Sequence, residues 1–122
     1  MPGSQDFAAD PRNAKVLVYL NGALAPREEA KVSIFDAGFV LGDGVWEGLR
    51  LHRGQFLFLD AHLDRLYEGA KAIALDIGLT RAGMISALRQ TVDANQMEGG
   101  VQIFVIRIEE FLVYTPLGNG VQ

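Results

Sequence analysis

Residues 35–50 of the chain read FDAGFVLGDGVWEGLR, and residues 62–66 read HLDRL. The first stretch joins a glycine-rich corner to a strand that carries an aromatic residue and an arginine. The second places a histidine and an arginine on one helix. Because a guanidinium binds two oxygens of a phosphate or carboxylate in parallel, the two stretches predict a site for a small anionic ligand.

Outward from this centre, short apolar runs alternate with turn residues. Strands are predicted over residues 16–20, 23–26, 45–51, 55–59 and 101–108, and a further short extended piece is predicted over 31–35. Asn21-Gly22 and His52-Arg53-Gly54 separate neighbouring runs and predict two hairpins, since glycine accepts the positive φ that tight turns need.

Two amphipathic helices are predicted after these strands. Apolar residues recur at helical spacing over 59–74, with Asp60 as the expected N-cap, and over 80–95, where Thr80 is the expected cap. The fold class is therefore α+β: an antiparallel sheet with two helices packed on one side.

Composition narrows the classes of partner. The 122 residues suffice for one domain, and the net charge of -4 with scattered basic residues argues against a nucleic-acid surface. The chain has no cysteine and no apolar run of membrane-spanning length. His52 and His62 are the only histidines and show no metal-ligand spacing. These features predict a cytoplasmic protein without a metal, membrane or nucleic-acid partner.

The predicted helix carries His62 and Arg65 at the edge of its apolar stripe, next to Gly69 and Ala72. In one interpretation, the small neighbours leave room for a ligand to reach the guanidinium. In the other, Arg65 forms a surface pair with Glu68 and His62 is partly buried in the core. Helix geometry alone leaves both interpretations open.

Alternation along 45–51 places Trp46, Gly48 and Arg50 on one face of a strand. This face offers an aromatic wall, a gap and a cation to a small amphipathic acid. Alternatively, Gly48 marks a bulge and Arg50 is solvated. The opposite face is apolar except for Glu47.

The motifs VYLNG (18–22), AKVS (30–33), GDGVWEGLR (42–50) and LDAHLDRL (59–66) together resemble the N-terminal domain of the fold-type IV pyridoxal-phosphate enzymes. This family contains branched-chain and D-amino-acid aminotransferases and aminodeoxychorismate lyase. The resemblance implies pyridoxal 5'-phosphate as cofactor. It also implies amino transfer between an amino acid, with branched-chain substrates favoured, and a 2-oxo acid.

The resemblance also implies roles for single residues. Arg65 matches the family arginine that holds the cofactor phosphate. Trp46 and Leu41 match positions that line the substrate pocket, and Arg50 matches an arginine that binds a substrate carboxylate. The chain departs from the family where Gln102-Ile103-Phe104 replaces an aromatic-x-Arg pattern, and again after Val105, where a Thr-Arg-Gly pattern is absent.

The resemblance divides the chain into a flexible arm (1–14) and a small N-terminal domain (15–122). The lysine that binds the cofactor is expected in a missing C-terminal domain, because Lys15, Lys31 and Lys71 match none of the family positions. No catalytic residue is thus assigned here, and the chain alone is predicted to be inactive. The intact protein is expected to be a homodimer. A lyase of the same family and a non-catalytic small-molecule-binding module are the alternatives.

Overall fold

The computed structural model describes residues 11–115. In chain order, the strands and helices are β1 (Leu17–Leu20), β2 (Ala23–Pro26), α1 (Ala37–Leu41), β3 (Val45–His52), β4 (Gln55–Phe56), α2 (Leu59–Ala72), α3 (Arg81–Ala94), β5 (Val101–Arg107) and β6 (Phe111–Tyr114). Short 3-10 helices cover Pro11–Lys15 and Arg27–Glu29. The six strands form one antiparallel sheet in the order β2-β1-β6-β5-β3-β4.

The core lies between this sheet and the two long helices, both of which pack on the same face. Apolar side chains that are almost wholly buried come from α2, α3 and the central strands: Leu49, Leu51, Leu63, Leu66, Met84, Leu88, Ile103, Val105 and Val113. Each buried side chain of this size contributes roughly 1.5–3 kcal/mol to folding. The predicted α+β arrangement is confirmed.

Both predicted hairpins are present. Asn21 (φ 52°) and Gly22 (φ 96°) join β1 to β2, and Arg53 (φ 49°) and Gly54 (φ 75°) join β3 to β4. Two-residue connections with positive φ at both positions match the right-handed twist of the flanking strands. The turn residues of the sequence therefore located these reversals correctly.

β3 has one free edge beside its first half. β5 pairs with β3 from Val45 to Leu51, whereas β4 pairs only with Leu51 and His52. Within residues 11–115, no strand covers the outer edge of β3 from Val45 to Leu49. Backbone N–H and C=O groups on an unpaired edge are open to other partners.

The structure corrects the expectation of a strand over 31–35. This segment ends in a turn at Ile34 and Phe35, and the hydroxyl oxygen of Ser33 accepts a hydrogen bond from the backbone N–H of Phe35 at 3.0 Å. Such local bonds compete with strand pairing. The glycine-rich corner that follows is the short helix α1, with Asp36 as its N-cap.

The N-cap prediction for the first long helix is also wrong. Asp60 lies inside α2, and the N-cap is Phe58, whose carbonyl accepts from the N–H of His62 at 3.0 Å. β4 is consequently shorter than the predicted strand 55–59. Thr80 caps α3 as predicted, because its side chain accepts from the N–H of Gly83.

The predicted arm falls mostly outside the described residues, which exclude 1–10 and 116–122. Its last residues, 11–14, belong to the first 3-10 helix. Among residues 11–115, no helix combines the length and the apolar character needed to cross a bilayer.

Candidate functional site

The buried carboxylate of Glu47 is the centre of a polar cluster between β3 and α2. Only 3% of Glu47 is exposed. Arg65 donates to it twice, from Nε to Oε1 at 2.5 Å and from Nη2 to Oε2 at 2.9 Å. His62 Nδ1 lies 2.7 Å from Oε2. Since a carboxylate only accepts, Nδ1 of His62 carries the hydrogen in this contact.

Two sequence periodicities bring these side chains together: the two-residue alternation of a strand and the spacing of a helix. Alternation along β3 turns Glu47 toward the helices together with Leu49. On α2, residues three apart lie on neighbouring positions of one face, so His62 and Arg65 reach the same carboxylate. Burial of Leu63 and Leu66 fixes the rotation of the helix that makes this possible.

The cluster keeps its charges. The hydrogen bonds from Arg65 hold the pKa of Glu47 below its usual range, and those from His62 act in the same direction, although burial opposes them. The contact with Glu47 in turn raises the pKa of Arg65. The result is an ionised carboxylate facing a guanidinium whose side chain is 74% exposed.

A cleft of about 530 Å³ opens beside this guanidinium at the free edge of β3. Residues from β3, α2 and β5 line it, including Trp46, Gly48, Arg65, Gly69, Gln102 and Phe104. Because Glu47 occupies Nε and Nη2, the remaining N–H groups of Arg65 are available to an anion. The glycine Gly69 leaves space on the helix side of the cleft.

The cleft has an aromatic wall on the sheet side. The rings of Trp46 and Phe104 lie 6.1 Å apart, and those of Phe104 and Tyr114 lie 5.9 Å apart. A Cβ on Gly48 would come within 3.2 Å of the Phe104 ring. Glycine at 48 therefore allows Phe104 to lie against β3.

The structure brings together two of the four residues assigned to the site from the sequence. Arg65 and Trp46 line the same cleft. Arg50 projects from the same face of β3 as Trp46 but is exposed and is not among the residues lining the cleft. Leu41, at the end of α1, is 72% exposed and also lies outside the lining.

Glu47 is the residue that the sequence interpretation missed. The surface-pair interpretation gave Arg65 the partner Glu68, whereas the structure pairs it with Glu47. The available signal was a single acidic residue in the otherwise apolar face of β3. A charged residue in such a position requires a partner that donates hydrogen bonds or carries the opposite charge.

A second cavity, of about 410 Å³, is more apolar and lies on the sheet face turned away from the helices, where Tyr114 also lines it. It is lined mainly by aliphatic side chains, among them Val18, Val32, Ile106 and Leu112. None of the residues assigned to the site contributes to it. Among residues 11–115, no group of three or more His, Asp or Glu side chains is placed to hold a metal ion.

Comparison with known proteins shows the family to which the chain belongs. The family model for aminotransferase class IV matches residues 44–116, more than half of the chain. The chain belongs to the class IV aminotransferases. The matched region contains β3, α2 and β5, and hence every residue that lines the cleft.

Relatives and solved structures agree with this membership. The chain is 41% identical over 91 residues to D-alanine aminotransferase of Bacillus licheniformis, covering 74% of this chain and 32% of the relative. It is 45% identical over 87 residues to branched-chain-amino-acid aminotransferase-like protein 1 of Arabidopsis thaliana, covering 71% and 16%. The chain thus spans at most about a third of the length of these two relatives.

The fold is shared with a branched-chain aminotransferase from Thermoproteus uzoniensis, solved with norvaline. That structure superposes with a TM-score of 0.73 at 27% identity, covering 86% of this class IV chain and 41% of the other. The likeness confirms the fold that the sequence motifs implied.

Proposed function

We propose that this chain is the small domain of a pyridoxal-phosphate-dependent aminotransferase and that Arg65 holds the cofactor phosphate. The protein moves an amino group between an amino acid, with branched-chain substrates favoured, and a 2-oxo acid. One relative described above is named a D-alanine aminotransferase and the other a branched-chain-amino-acid aminotransferase-like protein, which favours amino transfer over the lyase reaction. When bound, the cofactor withdraws electrons from the amino-acid Cα.

One observation carries this proposal: Glu47 fixes the guanidinium of Arg65 through two of its nitrogens and leaves the others facing a cleft. A fixed guanidinium with free donors fits a phosphate, since parallel N–H groups match its oxygens. Trp46 would then contact substrate from the aromatic wall of the same cleft. Arg50 and Leu41 are proposed as further substrate contacts.

The catalytic lysine is proposed to lie in a separate C-terminal domain. Among the described residues, Lys15, Lys31 and Lys71 do not line the cleft. We expect the chain alone to be inactive and the intact protein to act as a cytoplasmic homodimer. Light scattering of the intact protein would test the dimer.

The proposed role of Arg65 in phosphate binding is tested by two titrations of the chain that are monitored by NMR. One uses pyridoxamine 5'-phosphate and the other uses pyridoxamine. The amines are chosen because the aldehyde of pyridoxal phosphate reacts with any exposed lysine. We expect only the phosphorylated compound to shift the amides around Arg65. Arg65→Met should weaken its binding at least about tenfold, in line with loss of a charge-assisted contact.

The matched control is Arg81→Met, which removes an arginine of the adjacent helix α3 that pairs with the exposed Asp64. Its affinity for pyridoxamine 5'-phosphate should equal that of the unaltered chain. Equal shifts with both amines, or equal affinities of the Arg65→Met and unaltered chains, would contradict the proposal. Amino transfer itself is tested on the intact protein, with branched-chain L-amino acids compared with D-alanine as donors.

A further inference from the structure

A second buried carboxylate, Asp36, lies at the start of α1 and is 1% exposed. Its Oδ1 accepts from the backbone N–H of Gly38 at 2.7 Å and from that of Glu109 at 3.3 Å. Its Oδ2 accepts from the N–H of Glu110 at 3.3 Å. One side chain therefore connects the start of α1 to the turn between β5 and β6, over 70 residues away in sequence.

Residues near both ends of the segment 36–44 pack against the same turn. We call this segment the lead segment because it leads into β3. A Cβ at Gly38 would lie 2.1 Å from Cγ2 of Ile108, and a Cβ at Gly44 would lie 2.6 Å from the same atom. Only glycine permits such close packing. The N–H of Ala37 also donates to the Glu109 carboxylate at 3.2 Å.

The side chains between these attachment points face outward. Phe39, Val40 and Leu41 are 70%, 57% and 72% exposed. Their positions are therefore fixed through the backbone rather than by burial of their own side chains. Gly44 directly precedes Val45 and Trp46, so the attachment also fixes the entry to the cleft wall.

We propose that Asp36 is a positioning residue. It holds the lead segment against the β5–β6 turn, so that Leu41 and Trp46 keep fixed places relative to Arg65. A carboxylate suits this purpose because it accepts several backbone N–H bonds at once, and bonds to an ionised acceptor are stronger than neutral ones. The consequence for substrate binding rests on the proposed function; the attachment itself does not.

Amide hydrogen exchange of Asp36→Asn tests the attachment. The asparagine oxygen can still accept from Gly38 and Glu109, which share Oδ1, but its NH₂ group would then face the N–H of Glu110. We expect the amides of Glu109 and Glu110 to exchange about tenfold faster, since a lost bond opens the turn locally. Asp36→Ala should add the amide of Gly38 to this set.

The matched control is Asp43→Asn, which removes an exposed carboxylate from the same segment. It should leave exchange at the turn unchanged. Unchanged exchange at Glu109 and Glu110 in Asp36→Asn would overturn the proposal. So would equal acceleration in the buried amides of α3, which would mean that Asp36 only stabilises the whole domain.

The functional part is tested on the intact protein by steady-state kinetics. In Asp36→Asn we expect KM for the amino donor to rise about fivefold or more, with kcat and the affinity for pyridoxamine 5'-phosphate little changed. Faster exchange without a change in KM would overturn the substrate role alone. Absence of amino transfer in the unaltered protein would refute the proposed function, and the exchange experiment would still decide the attachment.

Discussion

The two buried carboxylates solve the same physical problem in different ways. Glu47 and Asp36 are 3% and 1% exposed, and a buried charge requires compensation by hydrogen bonds or a counter-ion. Glu47 bonds to the side chains of Arg65 and His62. Asp36 bonds to backbone N–H groups from two distant segments. The first arrangement leaves an exposed cation beside a cleft, whereas the second connects two distant segments of the chain.

The difference has consequences for how each region responds to change. Although Glu47 fixes two of its nitrogens, the Arg65 side chain is 74% exposed, so an anion can reach its remaining N–H groups from solvent. The N–H groups that bind Asp36 belong to Gly38 at the start of α1 and to Glu109 and Glu110 in the β5–β6 turn. We therefore expect variants of Glu47 to weaken binding of pyridoxamine 5'-phosphate and variants of Asp36 to leave that affinity unchanged.

The largest effect on the free energy of unfolding is expected from Gly38→Ala, which changes the packing of the segment that begins at Asp36. The new Cβ would overlap Ile108, and overpacking of this kind should lower the free energy of unfolding by about 3 kcal/mol. Gly42→Ala is the control. A Cβ at Gly42 would meet no atom within 4 Å, but the φ of 75° at this position is unfavourable for any residue with a side chain. Its cost should be about 1 kcal/mol. Similar costs in urea unfolding would show that Ile108 does not confine the segment.

Glu47→Gln tests the other carboxylate. We expect a loss of about 1–2 kcal/mol, because a charge-assisted contact disappears but the exposed partner Arg65 is screened by water. Binding of pyridoxamine 5'-phosphate should weaken several-fold, since the guanidinium is no longer fixed. Asp36→Asn should leave that affinity unchanged. An equal loss of affinity in both variants would remove the distinction between the two carboxylates.

The effect of Glu47→Gln on stability should also depend on pH. The pKa of Glu47 is lower in the folded state than the ordinary value of 4.5. Its contribution is therefore complete above the ordinary value and is lost as the pH falls through the folded-state pKa. The difference in unfolding free energy between the unaltered chain and Glu47→Gln should shrink below about pH 4.5. A constant difference down to about pH 3 would contradict an ionised Glu47.

The smallest effect is expected at the ion pair between Arg81 and Asp64, whose side chains are 42% and 60% exposed. Asp64→Asn should change the free energy of unfolding by less than about 0.5 kcal/mol, because water screens exposed pairs. This variant calibrates the others on the same helix surface. A loss comparable to that of Glu47→Gln would mean that burial is not what distinguishes the Glu47 pair.

The sequence predicted the features that depend on short-range periodicity. Alternation placed Trp46 and Glu47 on opposite faces of β3, and helical spacing placed Arg65 beside the apolar stripe; the structure confirms both. Local periodicity could not name the partner of Arg65, because Glu47 lies 18 residues away. The assignment of Arg65 to a cofactor phosphate came from family resemblance and stays a prediction.

The same limit hid Asp36 and β6. Asp36 looked like a corner residue, since its partners Glu109 and Glu110 are 73 and 74 positions further along the chain. The strand Phe111–Tyr114 was not predicted, because it is short and mostly buried on both faces, so it lacks alternation. Its neighbour Arg107 ends β5 one residue before the predicted end of that strand.

The uncovered edge of β3 could pair with a strand of another chain, and the charged side chain of Arg65 lies beside it. Unpaired strand edges invite pairing with another chain, and proteins often deter it with a cation beside the edge. Arg65 lines the same cleft as residues 45–48, which no strand among the described residues covers, so a strand that paired there would meet its positive charge. The arginine proposed to hold a phosphate is thus also the charge that a pairing strand would meet at this edge.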